Sequence, residues 1–252
     1  MTAAGTTALV TGGSRGIGRA IALQLARDGM FVFVHYGRQR DEAMETAARI
    51  EAAGGQAAVL GADITRRAEI TALFESLDRE IAQRALPPLS VLVNNAGLGG
   101  AGPIGAAPPE RIDALIDTNI KGTYFVTEAA LSRLADGGRI VNISSMVSLA
   151  AYPSTIVYSM TKAAVNAFTR SLAAELGARG ITVNAVAPGA TRTDFIGRIL
   201  ENAELTRFYE QAAALGRLGE AEDIAHVVAF LASKQGGWVT GQVIAASGGM
   251  HL

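Results

Sequence analysis

Thr11–Gly18 reads T-G-G-S-R-G-I-G and directly follows the apolar run Ala8–Val10. Glycines at 12, 16 and 18 mark a strand-to-helix join, where a tight turn lets main-chain amides approach a pyrophosphate at the positive end of the following helix. The same residues spell Gly12-x-Ser14-x-Gly16, a nucleophile-elbow pattern that requires an acid and then a histidine downstream. The only histidines are His35, His226 and His251, and none lies in an obvious catalytic loop.

Outward from this turn, short β-branched runs recur: A-L-V-T near residue 10, F-V-F-V-H from Phe31, A-A-V-L-G from Ala57 and V-L-V-N-N from Val91. They continue with R-I-V-N-I-S from Arg139, I-T-V-N-A-V from Ile181 and Q-V-I-A-A from Gln242, making seven candidate strands. Between them lie segments with helical spacing, such as the one from Asp41 to Gly55, with acids in its first turn and a glycine stop. Strands alternating with helices predict an α/β fold: a single Rossmann-type, doubly wound, parallel seven-stranded sheet with helices on both faces. One domain over residues 1–252 is expected. Pro188 to about Ala214 breaks the pattern and is read as a substrate loop beside the carboxyl end of the sixth strand.

With 22 basic and 23 acidic residues among 252, the net charge is −1, which gives no electrostatic footprint for nucleic acid or anionic lipid. Small molecules and further copies of the chain are the expected partners. The absence of cysteine excludes disulfides and thiolate metal sites, and no metal is predicted. M-T-A-A-G-T-T lacks the features of a signal peptide, and no apolar stretch approaches the roughly 20 residues of a membrane helix, so a cytoplasmic location is expected.

An acid about 20 residues past the glycines usually recognises an unphosphorylated ribose. Here that place reads H-Y-G-R, His35–Arg38, with no carboxylate before Asp41. Arg15 and Arg38 suit a 2′-phosphate instead, so NADP(H) is expected over NAD(H).

Tyr158–Lys162, Y-S-M-T-K, fits two chemistries: a serine acyl-enzyme through Ser159-x-x-Lys162, or a proton-donating tyrosine through Tyr158-x-x-x-Lys162. The first also calls for S-D-N and K-T-G, and neither is present. Ser145, at the end of R-I-V-N-I-S-S, favours the second by lying at the sheet edge where a nicotinamide would sit.

Together, T-G-G-S-R-G-I-G, Asn94-Asn95-Ala96-Gly97, Asn119, Ser145, Tyr158-x-x-x-Lys162 and Pro188-Gly189 resemble the classical short-chain dehydrogenase/reductase family. The likeness runs along essentially the whole chain and is nearest to the 3-oxoacyl carrier-protein reductase branch. It implies a ketone reductase in which Tyr158 is the general acid, Ser145 binds the substrate oxygen, Lys162 holds the nicotinamide ribose and Asn119 supports a water. A nearby ammonium and the nicotinamide charge are expected to lower the tyrosine pKa from its usual value near 10. The implied cofactor residues are Gly12, Ser14, Arg15, Gly16, Ile17, Gly18, Tyr36, Arg38, Asp63, Ile64, Asn94, Ala96, Gly97, Tyr158, Lys162, Pro188, Gly189, Thr191 and Thr193, with Ala190 beside the carboxamide. Asp63 reads equally as an adenine contact or a helix N-cap, and Asn94 as a ribose contact or a strand-end turn former.

Leu98, Met146, Tyr152 and Phe195 suggest an apolar substrate wall and a polyketide-like or 3-oxoacyl ketone. Asp136 stands where carrier-dependent relatives carry a basic residue, which weakens an acyl carrier protein as partner, although Arg179 matches a second docking arginine. Ser247 is a further departure, in the C-terminal turn. The resemblance also implies a homo-oligomer, tetramer or dimer. The alternatives are a catalytically silent nucleotide-binding regulatory module and a serine hydrolase using Ser14 or Ser159.

Overall fold

The computed structural model describes residues 5–100 and 102–250. Strands β1 Thr7–Val10, β2 Phe31–Tyr36, β3 Gln56–Gly61, β4 Leu89–Asn94, β5 Leu134–Ile143, β6 Thr182–Pro188 and β7 Val243–Ala246 form one sheet in the order β3-β2-β1-β4-β5-β6-β7. Every pairing is parallel. All seven candidate runs are strands of this sheet.

Helices α1 Gly16–Arg27, α2 Arg40–Ala52 and α9 Ala221–Ala232 cover one face. On the other lie α3 Arg67–Gln83, α5 Thr123–Leu131 and α6 Ile156–Leu176. Alternation along each strand feeds the two layers: Ala8, Val10, Val32, Val34 and Val93 join the first core, and Leu9, Phe31, Phe33, Leu92 and Ile140 the second. Burial on both sides is why the strands are continuously apolar. Each fully buried leucine or phenylalanine stabilises the fold by about 1.5–3 kcal/mol.

The predicted helix from Asp41 forms as α2, with Asp41 and Glu42 in its first turn. Gly54, at φ 83°, ends it in a left-handed turn: Gly54 N donates to Glu51 O and Gly55 N to Ile50 O, both at 2.9 Å. The predicted loop after Pro188 contains a 3-10 turn, Asp194–Ile196, followed by α7 Gly197–Leu200 and α8 Ala203–Ala212. The remaining helix, α4 Pro109–Ile116, runs through a π-helical turn, Asp117–Gly122, into α5.

From β1 the chain winds outward through β2 and β3, then returns to β4 on the other side of β1 and winds the opposite way. This reversal opens a crevice beyond the carboxyl ends of β1 and β4. Thr11–Gly18 and Asn95–Gly97 follow those two ends.

Candidate active site

The glycine turn is built by close approach. A Cβ on Gly18 would overlap the Gly12 carbonyl oxygen and the Asn95 side-chain nitrogen. Gly12 (φ 63°) and Gly16 (φ 53°) adopt the left-handed conformation that glycine tolerates best. No side chain caps the start of α1, so its first-turn amides are unclaimed by side chains. A cradle that a methyl group would fill, at a free helix N-terminus, fits a dinucleotide pyrophosphate.

Several residues outside the glycine motif hold this turn. Thr11 Oγ1 accepts from the amides of Asn95 (2.9 Å) and Ala96 (3.1 Å), and Asn95 Nδ2 donates to Thr11 O (2.9 Å) and Gly12 O (3.0 Å). From α1, Arg19 Nε donates to Ser14 O at 3.0 Å while its Nη2 pairs with Glu42 at 2.5 Å, tying the turn to α2. His35 Nδ1 accepts from Gly12 N at 3.2 Å, and its Nε2 lies 3.0 Å from Ala62 O. Sequence reasoning missed Thr11, Arg19, His35 and the Asn95 side chain, since each acts across 20 or more residues or through a main-chain group and leaves no local pattern.

Burial lowers the His35 pKa from 6.5 to about 4, so the folded ring is neutral at neutral pH. The unfolded chain therefore binds the proton first on acidification. The stability that this neutral ring contributes is complete above pH 6.5 and is lost as pH falls towards about 4, in total about 3 kcal/mol. Urea titrations through that window should show this component in the wild type and not in His35→Asn; equal losses would contradict the assignment.

Tyr158 and Lys162 lie one turn apart on the buried face of α6, with the Lys162 Nζ 5.8 Å from the Tyr158 ring centre. Lys162 Nζ donates to Ile143 O at 2.7 Å, and burial lowers its pKa to about 8. Ser145 opens the 3-10 turn Met146–Ser148, its Oγ accepting from Val147 N at 3.4 Å, and its hydroxyl is near enough to the Tyr158 phenol to favour the phenolate. Its own main chain is pinned by Ser148 Oγ donating to Ser145 O at 2.6 Å, and Asn166 Nδ2 donates to Ser148 Oγ at 2.9 Å.

Among the protein's own groups, burial has the largest influence on the Tyr158 pKa. Burial pushes it up to about 12, and the nearby Ser145 hydroxyl only partly opposes this. Lys162 is itself buried and turned to a main-chain carbonyl, so its ammonium does not dominate here. The result is a phenol that keeps its proton at neutral pH.

Asn119 sits in the π-helical turn with its amide fully engaged: Oδ1 accepts from Leu98 N (2.8 Å), and Nδ2 donates to Leu98 O (2.9 Å) and Thr161 Oγ1 (3.0 Å). Its side chain thus fixes the loop after β4 against α6. A Cβ on Gly97 would stand 3.2 Å from Asn119 Oδ1 and 3.5 Å from Lys162 Nζ, so the bare backbone here opens onto the lysine. The serine readings find no support: Ser159 Oγ donates back to Thr155 O at 3.1 Å, and His35 spends both ring nitrogens on main-chain groups rather than on Ser14.

The outer cradle differs in part from the sequence-based assignments. The Asn94 side chain is buried and donates to Thr127 Oγ1 (2.9 Å) and Asn142 Oδ1 (2.8 Å), linking β4 to α5 and β5. Ile64 likewise packs in the core against Gly122. Asp63 Oδ1 accepts from Thr65 N at 3.0 Å in an Asx turn, while Arg66 occupies the N-cap of α3. Tyr36 folds its ring over Gly61 of β3. Arg15 reaches Asp194, 3.6 Å away, whereas Arg38 is exposed and makes no ion pair among the described residues. Ile17 and Ala96 each pack against a core cluster.

Across the crevice, Gly189 is pressed against Ser247 and donates to Ala246 O at 3.1 Å; Pro188 is the last residue of β6. Ser247 Oγ accepts from Met250 N at 3.2 Å, so this serine holds the C-terminal turn. Thr191 Oγ1 donates to Gly189 O at 3.0 Å, and Gly219 N to Ala190 O at 2.9 Å. The Thr193 methyl faces Gly16.

Beside Tyr158, the exposed Phe195 ring lies with its centre 6.0 Å from the tyrosine ring and covers Gly99, where any side chain would overlap it. Tyr152 donates to Met250 Sδ at 3.3 Å, Met146 is buried, and Leu98 is half-buried. Of the four predicted substrate-wall residues, Met146 follows Ser145 directly in the 3-10 turn and Phe195 faces Tyr158, whereas the bonds of Tyr152 and Leu98 run to Met250 and Asn119.

A family model described as enoyl-(acyl carrier protein) reductase matches residues 12–251, and the chain belongs to the short-chain dehydrogenase/reductase family. It is 37% identical to the tetrahydroxynaphthalene reductase of Pyricularia oryzae, over 97% of this chain and 89% of that protein. It is 38% identical to the 3-oxoacyl-(acyl-carrier-protein) reductase FabG of Staphylococcus aureus, over 98% of both. Among solved structures, the angucycline C-6 ketoreductase LanV with bound NADP superposes with a TM-score of 0.94 at 41% identity, covering 99% of this chain and 96% of that one. Among the described residues, no helix is long and apolar enough to cross a membrane.

Proposed function

We propose that this chain is an NADPH-dependent ketoreductase that converts an apolar, polyketide-like ketone to a secondary alcohol. One observation carries the reading: a buried phenol near the Ser145 hydroxyl, one helical turn from a buried lysine, in the same chain as a glycine turn shaped for a pyrophosphate. NADPH, when bound, supplies the hydride. Tyr158 gives its proton to the carbonyl oxygen, and Ser145 orients that oxygen by hydrogen bonding. Lys162, with its pKa near 8, exchanges protons readily at neutral pH and replenishes the phenol. Asn119 holds the Gly97–Leu98 backbone against α6, keeping the lysine end of the site in place.

A free ketone suits the site better than a carrier-bound one. Arg179 is engaged by Asp136 at 2.8 Å and by the carbonyls of Leu131 (2.9 Å) and Leu134 (2.5 Å), so it is not free to dock an acidic carrier. It also precedes β6, at the opposite sheet edge from Ser145. The names of the relatives, which include reductases of fused-ring aromatic substrates, agree with this reading.

The cofactor preference rests on Arg38, whose guanidinium is free to bind a 2′-phosphate. Arg38→Ala should weaken NADPH binding about tenfold and leave NADH binding unchanged. Nucleotide fluorescence titrations, paired with turnover of polycyclic aromatic ketones and of carrier-linked 3-oxoacyl thioesters, test both parts. Equal losses for the two nucleotides, or turnover of carrier substrates alone, would contradict the proposal.

A further inference from the structure

His35 is buried within β2, and three of its polar groups are committed to the backbone of its neighbours. Nε2 lies 3.0 Å from Ala62 O; a carbonyl only accepts, so this nitrogen carries the proton. Nδ1 is then the acceptor for Gly12 N–H at 3.2 Å, and the His35 carbonyl accepts from Gly13 N at 2.8 Å. One residue therefore pegs two successive amides of the glycine turn and the end of β3, where the Asp63 Asx turn begins. On the far side of the turn, the Ala96 Cα stands 3.0 Å from where a Gly12 Cβ would be, so the turn is confined between β2 and β4.

We infer that His35 is a positioning residue for the dinucleotide site: its neutral ring holds the phosphate-binding turn in register with the wall formed at Ala62–Asp63. This rests on the dinucleotide reading above. The bond that matters is the one to Gly12 N–H, because it fixes the amide next to the pyrophosphate cradle, whereas the bond to Ala62 anchors the ring itself. Without the Nδ1 acceptor, Gly12 loses its partner on this side and the turn relaxes away from β3. The chemical groups on α6 have no part in this contact.

Two amide variants separate these bonds. His35→Asn keeps an acceptor near the Nδ1 position, whereas His35→Gln places its amide near Nε2, and His35→Leu keeps neither. In the full chain, with NADPH as the probe followed by its fluorescence, the dissociation constant should stay within about threefold of wild type for His35→Asn and rise about tenfold for His35→Gln and His35→Leu. At saturating NADPH, kcat and the KM for ketone should be unchanged, a split that general loss of packing would not produce. Should His35→Leu fail to fold, the comparison of Asn with Gln carries the test alone. Equal NADPH affinity in the Asn and Gln variants would overturn the inference. Failure of the wild-type chain to bind NADPH or NADH would instead overturn the dinucleotide reading, and the inference with it.

Discussion

Tyr158→Phe should lower the turnover number for ketone reduction by about a thousandfold while leaving NADPH binding within about twofold of wild type. The substitution removes one hydroxyl and keeps the ring, which is buried and packed near Phe195, so the fold has no reason to change. What is lost is the phenolic proton donor one helical turn from Lys162 on the buried face of α6. At a pKa near 12 the phenol holds its proton at neutral pH, which is the state a reductase needs before it meets substrate. Steady-state turnover alongside a nucleotide titration checks both halves. Retained turnover would remove Tyr158 from the mechanism, and lost binding would mean the ring was needed for the cradle.

Gly18→Ala is predicted to abolish nucleotide binding in practice, weakening it by about a hundredfold. Its methyl group would overlap the Gly12 carbonyl oxygen and the Asn95 side-chain nitrogen. Neither can yield easily, since Asn95 Nδ2 already bonds Thr11 O and Gly12 O at 2.9 and 3.0 Å. Overpacking of this kind costs about 1–3 kcal/mol, and here the displaced atoms are those of the phosphate turn itself. Gly177→Ala is the control: a Cβ there meets nothing within 4 Å, and the residue has a helical φ of −56°. It should bind NADPH as wild type does, and thermal unfolding of both variants reads the difference in stability.

The fold was legible because its signals are local. Seven β-branched runs, a glycine turn after the first and a glycine stop after α2 need only neighbouring residues to be recognised. Tyr158 and Lys162 were legible for the same reason, since four residues on a helix make one face. The supports of the site were not. His35 meets Gly12 only because β2 lies beside β1, and Asn166 reaches Ser148 only because α6 packs on the loop after β5.

Asn94 and Asn95 show the limit most clearly. Adjacent residues turn to different sides here, Asn94 to Thr127 and Asn142 and Asn95 to the glycine turn, and the register behind this is set by β4 pairing with β1 and β5. The burial of Tyr158 was hidden for a related reason: charge neighbours appear in the sequence, but the degree of burial that opposes them appears only in the packed structure. Likewise, the fit of Phe195 over Gly99 joins segments nearly a hundred residues apart.

The most direct test of the account is isotopic transfer. Wild-type protein is mixed with a polycyclic aromatic ketone and NADPH carrying deuterium at the nicotinamide carbon, each of the two positions labelled in turn, and the product is analysed by mass spectrometry. The account predicts one deuterium on the carbinol carbon from one of the two labelled positions, with the rate collapsing in Tyr158→Phe. Alcohol formed without label from either position, or label transfer undiminished in that variant, would contradict it.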